Sequence, residues 1–323
     1  MKTRHAARER QRGAALLMAM IIVTLVVTLA GAMVWQQWRA VQVEAAERAR
    51  TQSAWILGGA LDWARLILRE DAKSRRPTAL SEPWAVPLAE ARLSTFLAAD
   101  KDNTDDAPDA FLSGIITDAQ ARYNLRNLVD AQGKIVPTEL AALERLCVTI
   151  GVAGDLAARI AAGLRDALAP VDPAGGNPTA PLLPRTTAQL GWFGIEAETL
   201  GRIDPYVILL PRATPVNINT AAREVLVAAI KGLDLATAER LVQMRQRSPF
   251  ETLQQVEAQV PGLAPLPAQQ VGVKSSFFEV RGRLRLGDRV LEQRSLVERR
   301  GADGADVVAF QREQVSSREQ SGP

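Results

Sequence analysis

Cysteine and histidine are nearly missing from this 323-residue chain: Cys147 and His5 each occur once. One cysteine excludes an internal disulfide, and its place in the apolar pattern ELAALERLCVTIGV marks it as a small core residue rather than a reactive thiol. One histidine, so close to the start, excludes a histidine-dependent triad or zinc site from the rest of the chain. No phosphate-binding P-loop and no dinucleotide glycine motif follows a strand-like run, and no carboxylate pair stands out for acid–base work, so the chain does not read as an enzyme. A basic surplus is missing too, although the formal net charge is +3. Residues 1–13 hold Lys2, Arg4, Arg8, Arg10 and Arg12 against Glu9, which leaves −1 from Ala14 onward and removes the charge argument for nucleic acid.

Charge is also absent from one long stretch: nothing ionisable stands between Arg12 and Arg39, and the run AALLMAMIIVTLVVTLAGAMV fills Ala14 to Val34. At about 1.5 Å per residue a helix of this length crosses a hydrocarbon core of about 30 Å. The basic residues ahead of it predict an N-terminus inside the cell and the rest outside. Three kinds of segment share these features: a cleaved secretory signal, a plain uncleaved anchor, and a leader that ends in glycine and is cut before a retained helix. The first expects a shorter apolar region followed by small residues, and here the small-residue boundary, Gly13, precedes the block.

The helical pattern continues past Val34 through Trp38, Val41, Ala45, Ile56, Ala60, Trp63 and Ile67, close to a period of 3.6. One helix from Ala14 to Arg69 would be about 80 Å long, with Gly31 and the Gly58–Gly59 pair as expected bends. The alternative is a membrane helix and a separate soluble helix, with a break near Trp35 to Arg39. From Lys73 to Asp109 the chain turns irregular and acidic. AADKDNTDDAPD offers oxygen ligands for calcium but lacks the glycine and terminal glutamate of an EF-hand loop, so it reads as a solvated loop. GIITDAQARYNLRNLVD then begins as a strand and ends as a turn into a helix.

Residues 137–270 are helical in pattern, with Thr138 and Asp155 as expected N-caps. Within them, PVNINTAAREVLVAAIKGLDLATAERLVQMRQRSPF reads as a helix–hairpin–helix unit: Asn219 or Thr220 opens one helix, Gly232 turns the chain and Thr237 opens the next. Such units bind DNA backbone through amides at a glycine-rich turn. Here Asp234 occupies the place of the second glycine, and Lys231, Arg240, Arg245 and Arg247 are offset by Glu224, Asp234, Glu239 and Glu251, so the unit reads as a packing module. After Lys274 the period becomes 2: Phe278, Val280, Gly282, Leu284 and Leu286 share one face, and Glu279, Arg281, Arg283 and Arg285 the other. Gly287 and Asp288 turn a hairpin, and a three-stranded meander follows. One apolar and one charged face predict a sheet covered on one side only, by the long helix.

The glycine-ended leader RQRG before the apolar helix, RYNLRNLV, VNINTA and the terminal meander, in this order, resemble the general secretion pathway protein K family, the large minor pseudopilin of type II secretion. The resemblance spans nearly the whole chain. It implies an α+β, pilin-like fold in which the long N-terminal helix packs on an antiparallel sheet and a large all-α domain, including the helix–hairpin–helix-like unit, is inserted between strands. The expected division is a prepilin leader at 1–13, a transmembrane and assembly helix at 14–38, the first part of the head at 39–124, the inserted domain at 125–270, the meander at 271–315 and a disordered tail at 316–323.

The same resemblance implies cleavage by prepilin peptidase between Gly13 and Ala14, methylation of the Ala14 amine, and a single-pass inner-membrane protein with its head in the periplasm. It implies assembly with the minor pseudopilins I and J at the tip of a pseudopilus, beside the major pseudopilin, to export folded proteins. Pilin-like proteins usually carry a glutamate fifth after the cut, where this chain has Met18. A carboxylate without a partner is costly in a membrane, so an apolar residue there suits a subunit with no neighbour ahead of it. No cofactor is expected, with calcium the one candidate ligand that the resemblance leaves open: members of the family usually carry more acidic residues in the loop after the second inserted helix, where only Asp166 and Asp172 occur. No nucleic acid is expected. The competing class is a membrane-anchored competence-type DNA-binding protein that uses the helix–hairpin–helix unit.

Overall fold

The computed structural model describes residues 3–93, 110–169, 181–263, 265–287, 289–301 and 306–315, and within these the side chains of residues 3–13, 289, 314 and 315 are not described. The expected acidic loop at 98–109, Asp172, Asp288 and the tail at 316–323 lie outside the described residues. The chain forms two compact units, Met1–Ile56 and Leu57–Pro323. Helix α1, Thr3–Lys73, is unbroken through Gly31, Trp35–Arg39 and Gly58–Gly59, so the expected single long helix forms and the alternative of two separate helices does not occur.

The first unit is the helix alone. Its apolar residues from Leu16 to Val43 are exposed. The two hydroxyls inside the apolar run bond to the helix's own carbonyls, Thr24 to Ile21 and Thr28 to Leu25 at 2.9 Å each. That satisfies them without water, as a hydrocarbon environment demands. Beyond the run, Glu44–Arg48 and Glu47–Arg50 pair along the helix surface.

In the second unit, α1 places Leu57, Leu61, Ala64 and Leu68 at helical spacing on one buried stripe. They pack on an antiparallel sheet ordered β1-β2-β7-β8-β9, with strands Leu88–Arg92, Ala110–Asp118, Phe277–Leu286, Arg289–Arg300 and Asp306–Val315. Ile116, Phe278, Val280, Val297 and Val307 supply the sheet's half of that core, and Trp84 closes it edge-on against Phe278 at 5.2 Å. Gly114 stands opposite Gly282 in the ladder. A Cβ at Gly282 would come within 3.3 Å of Leu57, so the glycine lets the helix lie close. At the end of α1, Asp71 pairs with Arg299 of β8 at 2.8 Å.

Everything between β2 and β7, two adjacent strands, is an inserted domain. It contains α2 Pro137–Thr149, α3 Asp155–Leu168, α4 Ala197–Ile203, α5 Arg223–Ala229, α6 Leu235–Arg247 and α7 Leu253–Glu257. Its own core joins Leu143, Leu146, Cys147, Ile160, Leu164, Val225, Leu226 and Leu241. Two short parallel pairs, β3 Tyr123–Asn124 with β4 Val207–Ile208 and β5 Val216–Asn217 with β6 Val271–Gly272, tie its entrance to its middle and its middle to its exit.

Four local expectations are corrected. Val136 and Gly154, not Thr138 and Asp155, hold the N-cap positions of α2 and α3. Ala222, not Asn219 or Thr220, precedes α5. Asp234, not Thr237, caps α6, its carboxylate accepting from the Thr237 amide. The sheet is covered on both faces over part of its length: Phe277 packs against Ala119, Ile208 and Leu210 on the side away from α1, and Glu279 is buried there too. The insertion folds back over that end of the outer face, whereas Arg283 farther along β7 stays exposed.

Gly163 in α3 faces the Phe193 ring, which a Cβ would approach to 2.5 Å. Helix propensity alone favours Gly163→Ala by about 1 kcal/mol. The overlap reverses the sign: Gly163→Ala lowers stability by about 1–3 kcal/mol in thermal or urea unfolding, and an unchanged or raised midpoint would show that Phe193 yields freely.

Candidate functional site

Two features of the structure bear on function, the N-terminal helix and a buried polar junction at the root of the insertion. The helix is the one described segment long and apolar enough to cross a membrane, with a window of mean hydropathy 2.6. Ala14 and Met18 lie on it and are exposed; Gly13 is helical in backbone, its surroundings outside the described residues.

The junction is built around Asp118, the last residue of β2, where the chain leaves the sheet. It is 4 % exposed, and among the described residues no cationic side chain is bonded to it. Its Oδ2 accepts from Thr220 Oγ1 and Ser275 Oγ at 2.6 Å each and from Asn217 Nδ2 at 2.9 Å, and its Oδ1 accepts from the Gln120 amide at 2.8 Å. Burial raises the Asp118 carboxyl above its ordinary value, and the donors from Ser275, Thr220, Asn217 and Gln120 oppose that rise.

Asn217 extends the network by donating to the Thr78 carbonyl at 3.0 Å and accepting from the Asn219 amide at 3.0 Å. The Gln120 side chain donates to Pro215 at 2.9 Å and accepts from the Ser276 amide at 2.7 Å. Arg299 closes the outer side, donating to Thr78 Oγ1 at 2.8 Å and to the Ser275 carbonyl at 2.7 Å.

The asparagines of both sequence motifs do the same kind of work. Asn124 and Asn127 of RYNLRNLV hold the segment after β4: Asn124 accepts from the Leu210 amide at 3.1 Å and donates to Arg212 at 2.8 Å, while Asn127 exchanges two bonds with the Thr214 backbone at 2.9 and 3.0 Å. Asn219 of VNINTA exchanges two with the Phe250 backbone at 2.9 Å each. A carboxamide offers one donor and one acceptor face, which is what a lone buried peptide unit requires. The motifs are thus structural staples. Asp118, Gln120, Thr78 and Ser275 were missed by sequence reasoning. The available signal was the carboxylate at Asp118, two residues beyond Ile116 on the apolar face of the strand.

On the outer sheet face, Glu279 receives Arg122, with Arg281 at 3.2 Å and Arg294 at 3.0 Å. Burial pushes the Glu279 carboxyl up, but the three guanidiniums outweigh it and hold it below the ordinary glutamate range. Burial likewise pushes Glu298 up while Arg300 and Arg212 bring it below. Cys147 is fully buried and burial pushes its thiol up to about 11, as suits a core residue.

At the helix–hairpin–helix-like turn, Gly232 has φ of 85°. Asp234 accepts from both the amide and the hydroxyl of Thr237, and those bonds hold its carboxyl below the ordinary aspartate range. An ionised carboxylate therefore occupies the amides that a phosphate would need. Among the described residues no group of three histidine, cysteine, aspartate or glutamate side chains is placed to hold a metal ion. Asp166 is paired with Arg165.

Two sequence-family models, both described as type II secretion system protein K, match residues 121–212 and 216–274. Together they span the inserted domain and its return. Type II secretion system protein K of Pectobacterium carotovorum subsp. carotovorum is 28 % identical over 95 % of this chain and 97 % of its own length. The protein of the same name from Pseudomonas aeruginosa is 27 % identical over 92 % of this chain and 91 % of its own. In structure, the chain is similar to a component of the crystal structure of the GspK-GspI-GspJ complex from the enterotoxigenic Escherichia coli type 2 secretion system, with a TM-score of 0.61 at 19 % identity over 84 % of this chain and 99 % of that one.

The pH response follows from the carboxyls. A lowered folded pKa contributes stability that is present above the unfolded value and is lost as pH falls through the folded one, so Glu279 weakens the fold from about pH 4.3 downward. Asp118, raised, contributes in the opposite sense and loses its share as pH rises through its folded value. Urea unfolding of Glu279→Gln against pH is expected to show a shallower acid limb than the parent; parallel limbs would remove Glu279 from the account.

Proposed function

We propose that this chain is a minor pseudopilin of the type II secretion system protein K family, a reading supported by the two family models and the full-length relatives, and that it sits at the tip of the pseudopilus, where it caps and initiates the filament that exports folded proteins. The observation that carries the reading is the insertion between β2 and β7, built as one compact unit with the helix–sheet head. A subunit of the repeating shaft must present the same stacking surface above and below. A domain of this bulk, rooted at the Asp118 junction, suits one end of a stack and obstructs its middle.

In this reading prepilin peptidase cuts between Gly13 and Ala14 and the Ala14 amine is methylated. The helix from Ala14 is held in the inner membrane before assembly, with the head in the periplasm, and against other pseudopilin helices afterward. Met18, apolar where a paired glutamate is usual, suits a subunit that has no neighbour ahead of it. The partners are the minor pseudopilins I and J, as in the complex of the structural neighbour, together with the major pseudopilin. The role requires neither catalysis nor a cofactor from this chain. Asp234 on the hairpin turn speaks against a DNA-binding role.

Co-purification tests the assembly claim. Heads beginning near Arg39, mixed at micromolar concentration with the heads of the I and J partners, are expected to elute as a ternary complex on gel filtration. Separate elution of all three would overturn the reading.

A further inference from the structure

The apolar run of α1 ends in a change of chemistry rather than in a break. From Ala14 to Val34 it covers about 30 Å of helix, the thickness of a hydrocarbon core. Trp35, Gln36, Gln37, Trp38 and Arg39 follow directly. Trp35 and Trp38 stand three residues apart on one helix face, 64 % and 56 % exposed, with ring centroids 5.5 Å apart and planes tilted by 33°.

Side chains on a helix lean toward its N-terminus, so both rings lie back over the end of the apolar run. Among the described residues neither indole N–H has an acceptor, whereas the buried Trp84 of the head donates its own to Glu82 at 2.7 Å. Arg39, one turn beyond Trp35, is the first charge after Arg12 and forms no ion pair with a described residue. The next acids along the helix are already taken, Glu44 by Arg48 and Glu47 by Arg50. Two exposed rings, two unused N–H donors and an unpaired guanidinium thus gather where a span that starts at Ala14 reaches the far side of a bilayer.

We infer that Trp35 and Trp38 are an interfacial anchor, which binds the phospholipid headgroup layer nearer the head and fixes how deep α1 lies in the bilayer. The inference rests on the reading of α1 as a membrane-held helix and adds to it the residues that set the depth. An indole ring is apolar over most of its surface and carries one donor, which matches a layer bounded by acyl chains on one side and by ester and phosphate oxygens on the other. Arg39 meets the phosphates of the same layer. An apolar helix without such rings accommodates the bilayer by tilting or sliding at modest cost, so its depth is poorly defined. Trp55, 78 % exposed, stands about 25 Å farther along the helix and is out of reach of that layer.

Cysteine accessibility tests the inference. The full chain, alone in vesicles of phosphatidylethanolamine and phosphatidylglycerol, carries Val34→Cys, Gln36→Cys, Gln37→Cys or Val41→Cys, one at a time, with Ile22→Cys as the reference inside the run. A membrane-impermeant maleimide is added on the side of the head; Cys147, fully buried, stays unlabelled. The labelling rate is expected to rise at least tenfold between Val34 and Gln37. Trp35→Ala combined with Trp38→Ala is expected to shift that step by about one helical turn or to spread it over two, whereas Trp55→Ala leaves it in place. A step outside Val34 to Gln37, a step unmoved in the double variant, or one that Trp55→Ala moves as far would overturn the inference and leave the membrane reading standing. Ile22→Cys labelled as fast as Val41→Cys would overturn both.

Discussion

A carboxylate buried without a cation must be satisfied by hydrogen bonds, or its desolvation costs several kcal/mol. Asp118 meets that demand with donors from three separate places: Gln120, where the chain has just left the sheet; Asn217 and Thr220, deep in the insertion; and Ser275, just before it returns to β7. Each donor fills a position around the same two oxygens. The requirement therefore fixes the exit, the middle and the return of the insertion relative to one another. The parallel pairs β3–β4 and β5–β6 and the asparagine staples elaborate the same knot.

The fold depends on that knot because the insertion interrupts two strands that are neighbours in the sheet. Without a rigid root, more than a hundred residues between β2 and β7 would open a long loop in the middle of the ladder, with the closure entropy that implies. With it, β2 and β7 pair along nine positions, and the sheet offers α1 a continuous apolar face. Arg299 links this to the helix: it binds Asp71 at the end of α1, the Thr78 hydroxyl and the Ser275 carbonyl at once. The helix end, the sheet and the insertion root thus share one guanidinium.

Much of this was legible in the sequence. The apolar run, the period-3.6 stripe of α1 and the alternation of FFEVRGRLRL are local patterns set by burial on one side, and each element formed where its pattern lay. The cover on the outer sheet face was not legible. Glu279 looks like a solvated residue in an alternating strand, and only the return of Arg122 and Ile208 to that face makes it a buried ion-pair centre. Helix starts were misplaced for a related reason. Asn219 and Thr220 have the chemistry of caps, but in the fold their side chains serve Phe250 and Asp118, partners 31 and 102 residues away. Polar side chains that satisfy distant backbone carry no local signature.

Calorimetry of Asn217→Ala tests the central claim most directly, since Asn217 bonds to Asp118, Thr78 and Ser275 together. If the knot couples the insertion to the sheet, the parent unit unfolds in one transition. The variant, left with an undersatisfied buried carboxylate, loses about 3 kcal/mol and unfolds in two steps, insertion first. A variant that melts in a single transition at the parent temperature would contradict it.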